Sequence, residues 1–225
     1  KIREKKAKIL NEREALEICG ALKTADYKID KITRRKQLKQ PLPPLITSKL
    51  QQIASNKFNF SPNRTMKIAQ QLYEGVAVGE NEVMGLITYM RTDSIRVSDE
   101  AKAMAAEFIR EKYGEKYLPD TPRQFKQKTA NVQDAHEAIR PTDIYRTPAS
   151  IEKYLSKEQF KIYKLIWEIF TASQMRPAEF DVTAIVVIAD GIYTLTAKGS
   201  ILTFDGCLKV YQQDSQKDVT LPNIK

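Results

Sequence analysis

The sequence predicts a multidomain α+β protein in which a mainly helical domain is inserted into a β-rich one. Three observations carry this reading. Segments with a two-residue apolar period lie near both ends, at 23–40 and 178–225, while 41–177 shows helical spacing. Gln40-Pro41-Leu42-Pro43-Pro44 breaks the chain between the first strand region and the helical middle, and Pro177 closes that middle. A length of 225 residues, with 42% hydrophobic and 29% charged, suits one large or two small folded domains rather than a disordered chain.

Taken in order, residues 1–22 read as a basic helical segment, with Ile9, Ala15, Leu16, Ile18, Cys19 and Leu22 at roughly helical spacing. Tyr27 to Thr33 alternates as a strand. Arg34, Arg35, Lys36 and Lys39 follow it, and suit a solvated strand end and a phosphate-tracking edge equally. Beyond the proline break, Thr47-Ser48 can cap a helix carrying Leu50, Ile53 and Ala54. Ser61-Pro62 starts a second helix, with Met66, Ala69, Leu72 and Tyr73, that stops near Gly75. The pair is helix-turn-helix-like, a pattern that any small helical bundle shares. A loop from Gly75 to Glu82 leads into the run Val83 to Ser94. Ser98-Asp99-Glu100 opens a further helix, with Met104, Phe108 and Ile109 on its core face and Gly114 at its end.

Residues 119–130 read as a loop, and Asp134 to Pro141 as a short helical turn ended by proline. Ser156 and Gln159 form a capping box that opens a long helix through Phe160, Tyr163, Ile166, Trp167 and Phe170, an aromatic stripe expected in the core. After Pro177, Phe180, Val182 and Ala184 alternate into an apolar run ending at Ala189. Asp190-Gly191 is a hairpin turn, Ile192 to Ala197 returns, and Ile201 to Phe204 makes a third strand.

Composition narrows the function classes. Thirty-seven Lys and Arg against 28 Asp and Glu give a net charge of +9, which favours a polyanionic partner but also fits solvated lysines. One histidine and two distant cysteines argue against a zinc site, and Cys19 and Cys207 read as free, buried thiols in a reducing cytosol. No G-x-x-x-x-G-K-[ST] or G-x-G-x-x-G occurs, so no nucleotide-binding loop is indicated. The longest strongly apolar stretch, Ala184 to Ala189, is far too short to span a bilayer, and the start of the chain shows no signal peptide. A chain opening on Lys1 rather than Met reads as a piece of something longer.

The densest run of reactive side chains is Thr88-Tyr89-Met90-Arg91-Thr92-Asp93-Ser94. If it is extended, Tyr89, Arg91 and Asp93 point one way and Thr88, Met90 and Thr92 the other. A phenol beside a guanidinium suits a phosphate substrate, since the planar fork binds two phosphate oxygens while the phenol oxygen reaches phosphorus. On these residues alone, an ordinary exposed Tyr–Arg pair on a strand explains the pattern as well. In a helical turn His136 and Arg140 would share a face with Glu137 beside them, able to grip a phosphate or simply to form a satisfied polar cluster.

Read whole, the run Gly85-Leu-Ile-Thr-Tyr-Met-Arg-Thr-Asp-Ser94 resembles the active-site segment of type IA DNA topoisomerases. Ala135-His-Glu-Ala-Ile-Arg-Pro-Thr142 resembles their second signature. Ile46 to Gln52, Ala69 to Glu74 and Leu202 to Gly206 resemble further segments, in the family's order. Methionine after the tyrosine and glutamate after the histidine look like bacterial topoisomerase I rather than topoisomerase III. The resemblance implies a β-rich arch, residues 23–40 and 178–225, carrying an inserted helical domain, 41–177, that bears the tyrosine. It implies that Tyr89 attacks a phosphodiester in single-stranded DNA, forming a 5′-phosphotyrosine bond and freeing a 3′-hydroxyl. The linkage is conserved, so resealing needs no ATP, and strand passage relaxes negative supercoils. Arg91 matches the residue that holds the scissile phosphate, and His136 one near the catalytic centre. Thr47, Ser48, Gln51, Thr92, Asp93 and Arg140 are the expected DNA contacts, and Glu137 a supporting residue.

The same resemblance implies a Mg2+ cofactor whose carboxylate ligands lie in a preceding metal-binding domain. No Asp-x-Asp-x-Glu-Gly pattern of that domain occurs in this sequence. The chain is therefore expected to bind no metal, to be inactive alone, and to dock with that domain of its own parent. It is further expected to act as a monomer in the cytoplasm, associated with the nucleoid, on single-stranded and negatively supercoiled DNA, without contacting a membrane. Three other functions fit parts of the pattern: a non-enzymatic helix-turn-helix-like DNA-binding module, a topoisomerase III-like decatenase, and a scaffold whose basic edge meets acidic proteins.

Overall fold

The computed structural model describes residue 2 and residues 7–79, 82–125, 136–212 and 221. In chain order its elements are α1 (Glu12–Thr24), β1 (Tyr27–Lys39), α2 (Thr47–Phe58), α3 (Pro62–Glu74), β2 (Val76–Ala77), β3 (Val83–Met84), α4 (Asp99–Tyr113), α5 (Pro148–Ile151), α6 (Lys157–Ser173), β4 (Ala178–Ala189) and β5 (Tyr193–Phe204). The chain divides into two units, one drawing on Lys1–Lys39, Glu179–Phe204 and Ser215–Lys225, the other on Gln40–Ala178 and Asp205–Asp214. The architecture is α+β, with an antiparallel hairpin in one unit and most of the helix in the other.

In the first unit the strands lie in the order β1-β4-β5. β4 and β5 pair antiparallel from Ala189↔Tyr193 to Glu179↔Phe204, with a bulge between Glu179 and Phe180. Asp190 and Gly191 both adopt positive φ (50° and 68°), and the Ile192 N–H donates to the Ala189 carbonyl at 3.0 Å, the turn expected of Asp-Gly in a hairpin. The two segments expected as separate strands after this turn are one strand, β5, because Lys198-Gly199-Ser200 stays in the ladder opposite Ala184, Thr183 and Val182. The first strand also runs further than its alternation suggested. Arg34, Arg35, Lys36 and Lys39 lie within β1, not after it. Asn11 caps α1 by accepting the Glu14 N–H at 2.9 Å. No residue of α1 is buried, so Cys19 is exposed, contrary to the expectation of two buried thiols; Cys207 is buried, and both are free.

The second unit is built around α6. Ser156 and Gln159 make the expected capping box. Tyr163, Ile166, Trp167 and Phe170 are all but inaccessible to solvent, whereas Phe160, at the head of the same stripe, stays half-exposed. Fully burying such side chains contributes about 1.5–3 kcal/mol each. The polar ends of the aromatics are satisfied: the Tyr163 hydroxyl donates to the Arg146 carbonyl at 2.6 Å, and Trp167 Nε1 donates to the Ile144 carbonyl at 2.8 Å. These two bonds fasten the loop before α5 to the core. Phe108 of α4 meets Trp167 edge-on at 5.7 Å between ring centres. α3 packs on α6 and on α2.

Helix starts follow the sequence where a side chain was free to cap. Ser61 accepts the Arg64 N–H at 3.2 Å with Pro62 at the first helical position, and Ser98 accepts the Ala101 N–H at 3.3 Å. α5, a single turn begun by Thr147-Pro148, and the small β2–β3 hairpin were not foreseen. From Asp205 the chain leaves the sheet for a 3-10 turn, Gly206–Lys209, in the second unit. Gly206 (φ 46°) permits this, since a Cβ there would lie 2.4 Å from the Pro177 carbonyl oxygen.

Glu168 lies on α6 with burial raising its pKa above the usual carboxylate range, opposed by Lys164 and Lys57. A raised folded-state pKa means the native chain holds a proton that the unfolded chain has lost. This stability is present below the unfolded pKa and lost as pH rises through the folded one. Glu168→Gln removes the charged state. The variant is expected to gain stability relative to wild type at about pH 7 and to show little difference at about pH 3, measured by urea denaturation. An advantage that grows on acidification contradicts this.

Candidate active site

Three neighbours hold the segment Gly85 to Ser94, which makes one isolated bridge, at Ile87, and bends at Met90. At its start Gly85 lies against α3, where a Cβ would come within 2.5 Å of the Tyr73 carbonyl oxygen. Only glycine allows that approach, which lets the Leu86 N–H donate to the Leu72 carbonyl at 2.7 Å. In the middle, Ile87 bridges Pro141 antiparallel. The Thr88 N–H donates to the Arg140 carbonyl at 2.9 Å, and the Thr142 N–H to the Leu86 carbonyl at 3.0 Å. Thr88 Oγ1 donates to the Ala138 carbonyl (2.7 Å) and accepts the Arg140 N–H (3.0 Å).

Further along, Thr47 takes over. Its N–H donates to the Thr92 carbonyl at 2.9 Å. Its hydroxyl donates to the Met90 carbonyl at 2.7 Å and accepts the Thr92 N–H at 2.9 Å. Thr47 was expected to cap α2. Its hydroxyl is spent on residues 90–92 instead, and the N-cap is Ile46, which makes no side-chain capping bond.

From Tyr89 to Ser94 exposure alternates residue by residue. Met90 (0% exposed), Thr92 (8%) and Ser94 (2%) point inward. Tyr89, Arg91 and Asp93 point outward, Tyr89 with 46% of its surface exposed. Tyr89 and Arg91 thus flank the buried Met90, both exposed. The Tyr89 ring stands edge-on to Tyr73, the last aromatic of α3, at 5.4 Å between centres. Among the described residues Arg91 has no hydrogen-bond or ion-pair partner. A phenol oxygen beside an uncommitted guanidinium suits a bound phosphodiester.

The second signature does not form the expected helical turn. Among its described residues, 136–141 are extended, because long-range partners take the backbone. The Ile139 N–H donates to the Leu45 carbonyl and the Ala138 N–H to the Arg96 carbonyl, both at 2.8 Å. Pro141 also disfavours helix at Arg140. Asp134 and Ala135 lie outside the described residues. His136 is exposed. The pairing is antiparallel, so the chain descending from Pro141 to His136 runs in the direction that leads from Ile87 toward Thr92.

Arg140 and His136 thus share no helical face. Arg140 instead grips Glu137, with Nη2 and Nε donating to Oε2 at 2.8 and 3.1 Å, in a largely buried ion pair. Glu137 in turn accepts the Ser98 N–H at 2.8 Å. That completes the start of α4 from a distance, because the position that would carry the capping glutamate is Ala101. Of the expected DNA contacts, Ser48 is exposed, Gln51 half-buried, Asp93 exposed beside Arg91, and Thr92 buried with its hydroxyl accepting the Ser94 N–H at 3.1 Å. Sequence reasoning gave Tyr73 no role at the site, naming it only among the residues of the second helix. Its position at the end of a helix closed by Gly75 was the available signal.

Among the described residues no group of three or more His, Cys, Asp or Glu side chains is arranged to hold a metal ion. No helix among the described residues is long and apolar enough to cross a membrane.

The family model described as DNA topoisomerase matches residues 1–225, and the chain belongs to that family. It is 44% identical, over 98% of its length, to a DNA topoisomerase 1 from Rickettsia felis, and 43% identical, again over 98%, to one from Rickettsia bellii. Its fold superposes on full-length topoisomerase I from Thermotoga maritima with a TM-score of 0.82 and 37% identity, covering all of this chain and 35% of that one. Its similarity is thus to the bacterial topoisomerase I type, of which it spans a part: 29% of the Rickettsia felis protein.

Because Gly85 alone permits the approach of α3, Gly85→Ala is expected to push the tyrosine strand away from Tyr73. A loss of about 1–3 kcal/mol in urea denaturation is expected. Unchanged stability contradicts the close approach.

Proposed function

We propose that the protein containing this chain is a type IA DNA topoisomerase that cuts one strand through Tyr89, lets another strand pass, and reseals the break. The outward pair of Tyr89 and Arg91, on a segment whose alternate residues Met90 and Thr92 are locked inward, carries this reading. In the forward step the Tyr89 oxygen attacks phosphorus and the bond from phosphorus to the 3′-oxygen breaks. The phenol proton ends on that oxygen as a free 3′-hydroxyl. The 5′-phosphate is left on tyrosine, and one phosphodiester has replaced another. The reverse step restores DNA without an external energy source. Arg91 would hold the non-bridging oxygens as negative charge builds on them.

His136, at the exposed end of the second signature, is proposed to approach the substrate rather than to transfer the proton. Asp93, Ser48 and Gln51 remain the proposed strand contacts. Thr92, Thr47 and Arg140 are reassigned as positioning residues, because their polar groups are occupied within the fold. Mg2+ would be held by another part of the parent. The substrate is proposed to be single-stranded DNA exposed by negative supercoiling, handled by a monomer in the cytoplasm. Relatives named DNA topoisomerase 1 favour relaxation over decatenation.

The full-length protein, incubated with end-labelled single-stranded DNA and denatured rapidly, is expected to yield a covalent protein–DNA adduct. Tyr89→Phe should abolish it, while Arg91→Ala should lower its rate by about 100-fold or more. Wild-type adduct levels in Tyr89→Phe contradict the assignment.

A further inference from the structure

Away from the tyrosine strand, the second unit holds a groove of about 600 Å³ between the end of α2 and the first half of α6. Lys57, Lys161 and Lys164 stand on it, and Phe58 and Phe160 lie within it. Lys157 and Glu152 join the rim, and Glu168 adds the second carboxylate. Four ammonium groups thus face two carboxylates, one of which, Glu168, sits 3.8 Å from Lys164.

The rings and cations alternate. Lys161 Nζ lies 5.7 Å from the centre of Phe58, and Lys164 Nζ lies 5.9 Å from that of Phe160. Phe160 is the one ring of the α6 stripe that the core does not take, and Phe58 is likewise only half-buried. Hydrophobic packing alone would have covered them. α2 contains no carboxylate, and its outer face carries Lys49, Gln52, Asn56 and Lys57. A second groove, of about 430 Å³, follows that face and shares Lys57, whose ammonium lies 4.4 Å over the Tyr211 ring. The opposite end of α2 is Thr47, which holds the tyrosine segment, about 16 Å away along the helix.

We propose that this groove is a second site for single-stranded DNA, remote from Tyr89, with the lysines taking phosphates and Phe58 and Phe160 stacking unpaired bases. The inference rests on the reading that the protein acts on DNA. Flat, half-exposed rings between cations suit a base. A duplex hides its bases, and an acidic peptide has no use for the rings.

The test uses the full-length protein and fluorescence anisotropy with labelled oligo(dT). Lys57→Gln/Lys161→Gln should bind about 3–10-fold more weakly, and the slope of log affinity against log salt should shrink by about 1.4, the share of two phosphates. Phe160→Leu, which keeps the groove apolar, should lose about fivefold or more with the slope unchanged. Unchanged affinity in either variant overturns the site. So does an equal loss on a duplex of the same length, or an effect confined to an acidic polyglutamate probe. Both variants keep Tyr89 and should still form the covalent adduct at saturating DNA. A wild-type protein that binds oligo(dT) but forms no Tyr89 adduct defeats the proposed function and leaves the groove standing. Groove variants with normal affinity and normal adduct defeat the groove alone.

Discussion

One hydroxyl holds the register of the reactive strand. Thr47 Oγ1 donates to the Met90 carbonyl and accepts the Thr92 N–H, so the backbone on both sides of Arg91 is fixed to the first turn of α2. With 90 and 92 held inward by these bonds, 89, 91 and 93 are the residues left exposed. A slip of one residue would bury Tyr89 and Arg91 and expose Met90. The N-cap position of α2 is Ile46, which has no side chain able to cap.

Around that bond the two signatures act as one device. The first supplies the outward residues, and the second pairs with the chain just before them, at Leu86 to Thr88. Glu137 links them to the rest of the unit, tying Arg140 to the start of α4. Residues that look like ligands in the sequence are therefore of two kinds. Tyr89 and Arg91 are left facing solvent, whereas Thr47, Thr92, Glu137 and Arg140 have their polar groups consumed internally.

Much of this was legible beforehand. The Ser61-Pro62 start, the Ser156–Gln159 box and the Asp190-Gly191 turn encode their elements locally, so they could be read from a few neighbouring residues. The alternation of Tyr89, Met90, Arg91, Thr92 and Asp93 was legible for the same reason. What could not be read was set by distant partners. The extended state of 136–141 depends on Leu45 and Arg96, and the reassignment of Thr47 depends on Met90 and Thr92. The continuity of β5 through Lys198-Gly199-Ser200 depends on its opposite strand, since glycine and serine there look like a turn. The aromatic stripe of α6 gave no sign that Phe160, unlike its fellows, would be left facing a groove.

The most direct test of the account is the paired substitution of Thr47 by valine and by serine in the full-length protein, scored by covalent adduct formation on single-stranded DNA. Valine preserves the volume but strands the Met90 carbonyl and the Thr92 N–H, at a cost of about 1–3 kcal/mol. The account predicts that valine lowers the adduct rate about tenfold or more while serine, which keeps the hydroxyl, restores it. Wild-type rates with valine, in a protein that folds normally, would contradict the claim that this hydroxyl sets the tyrosine outward.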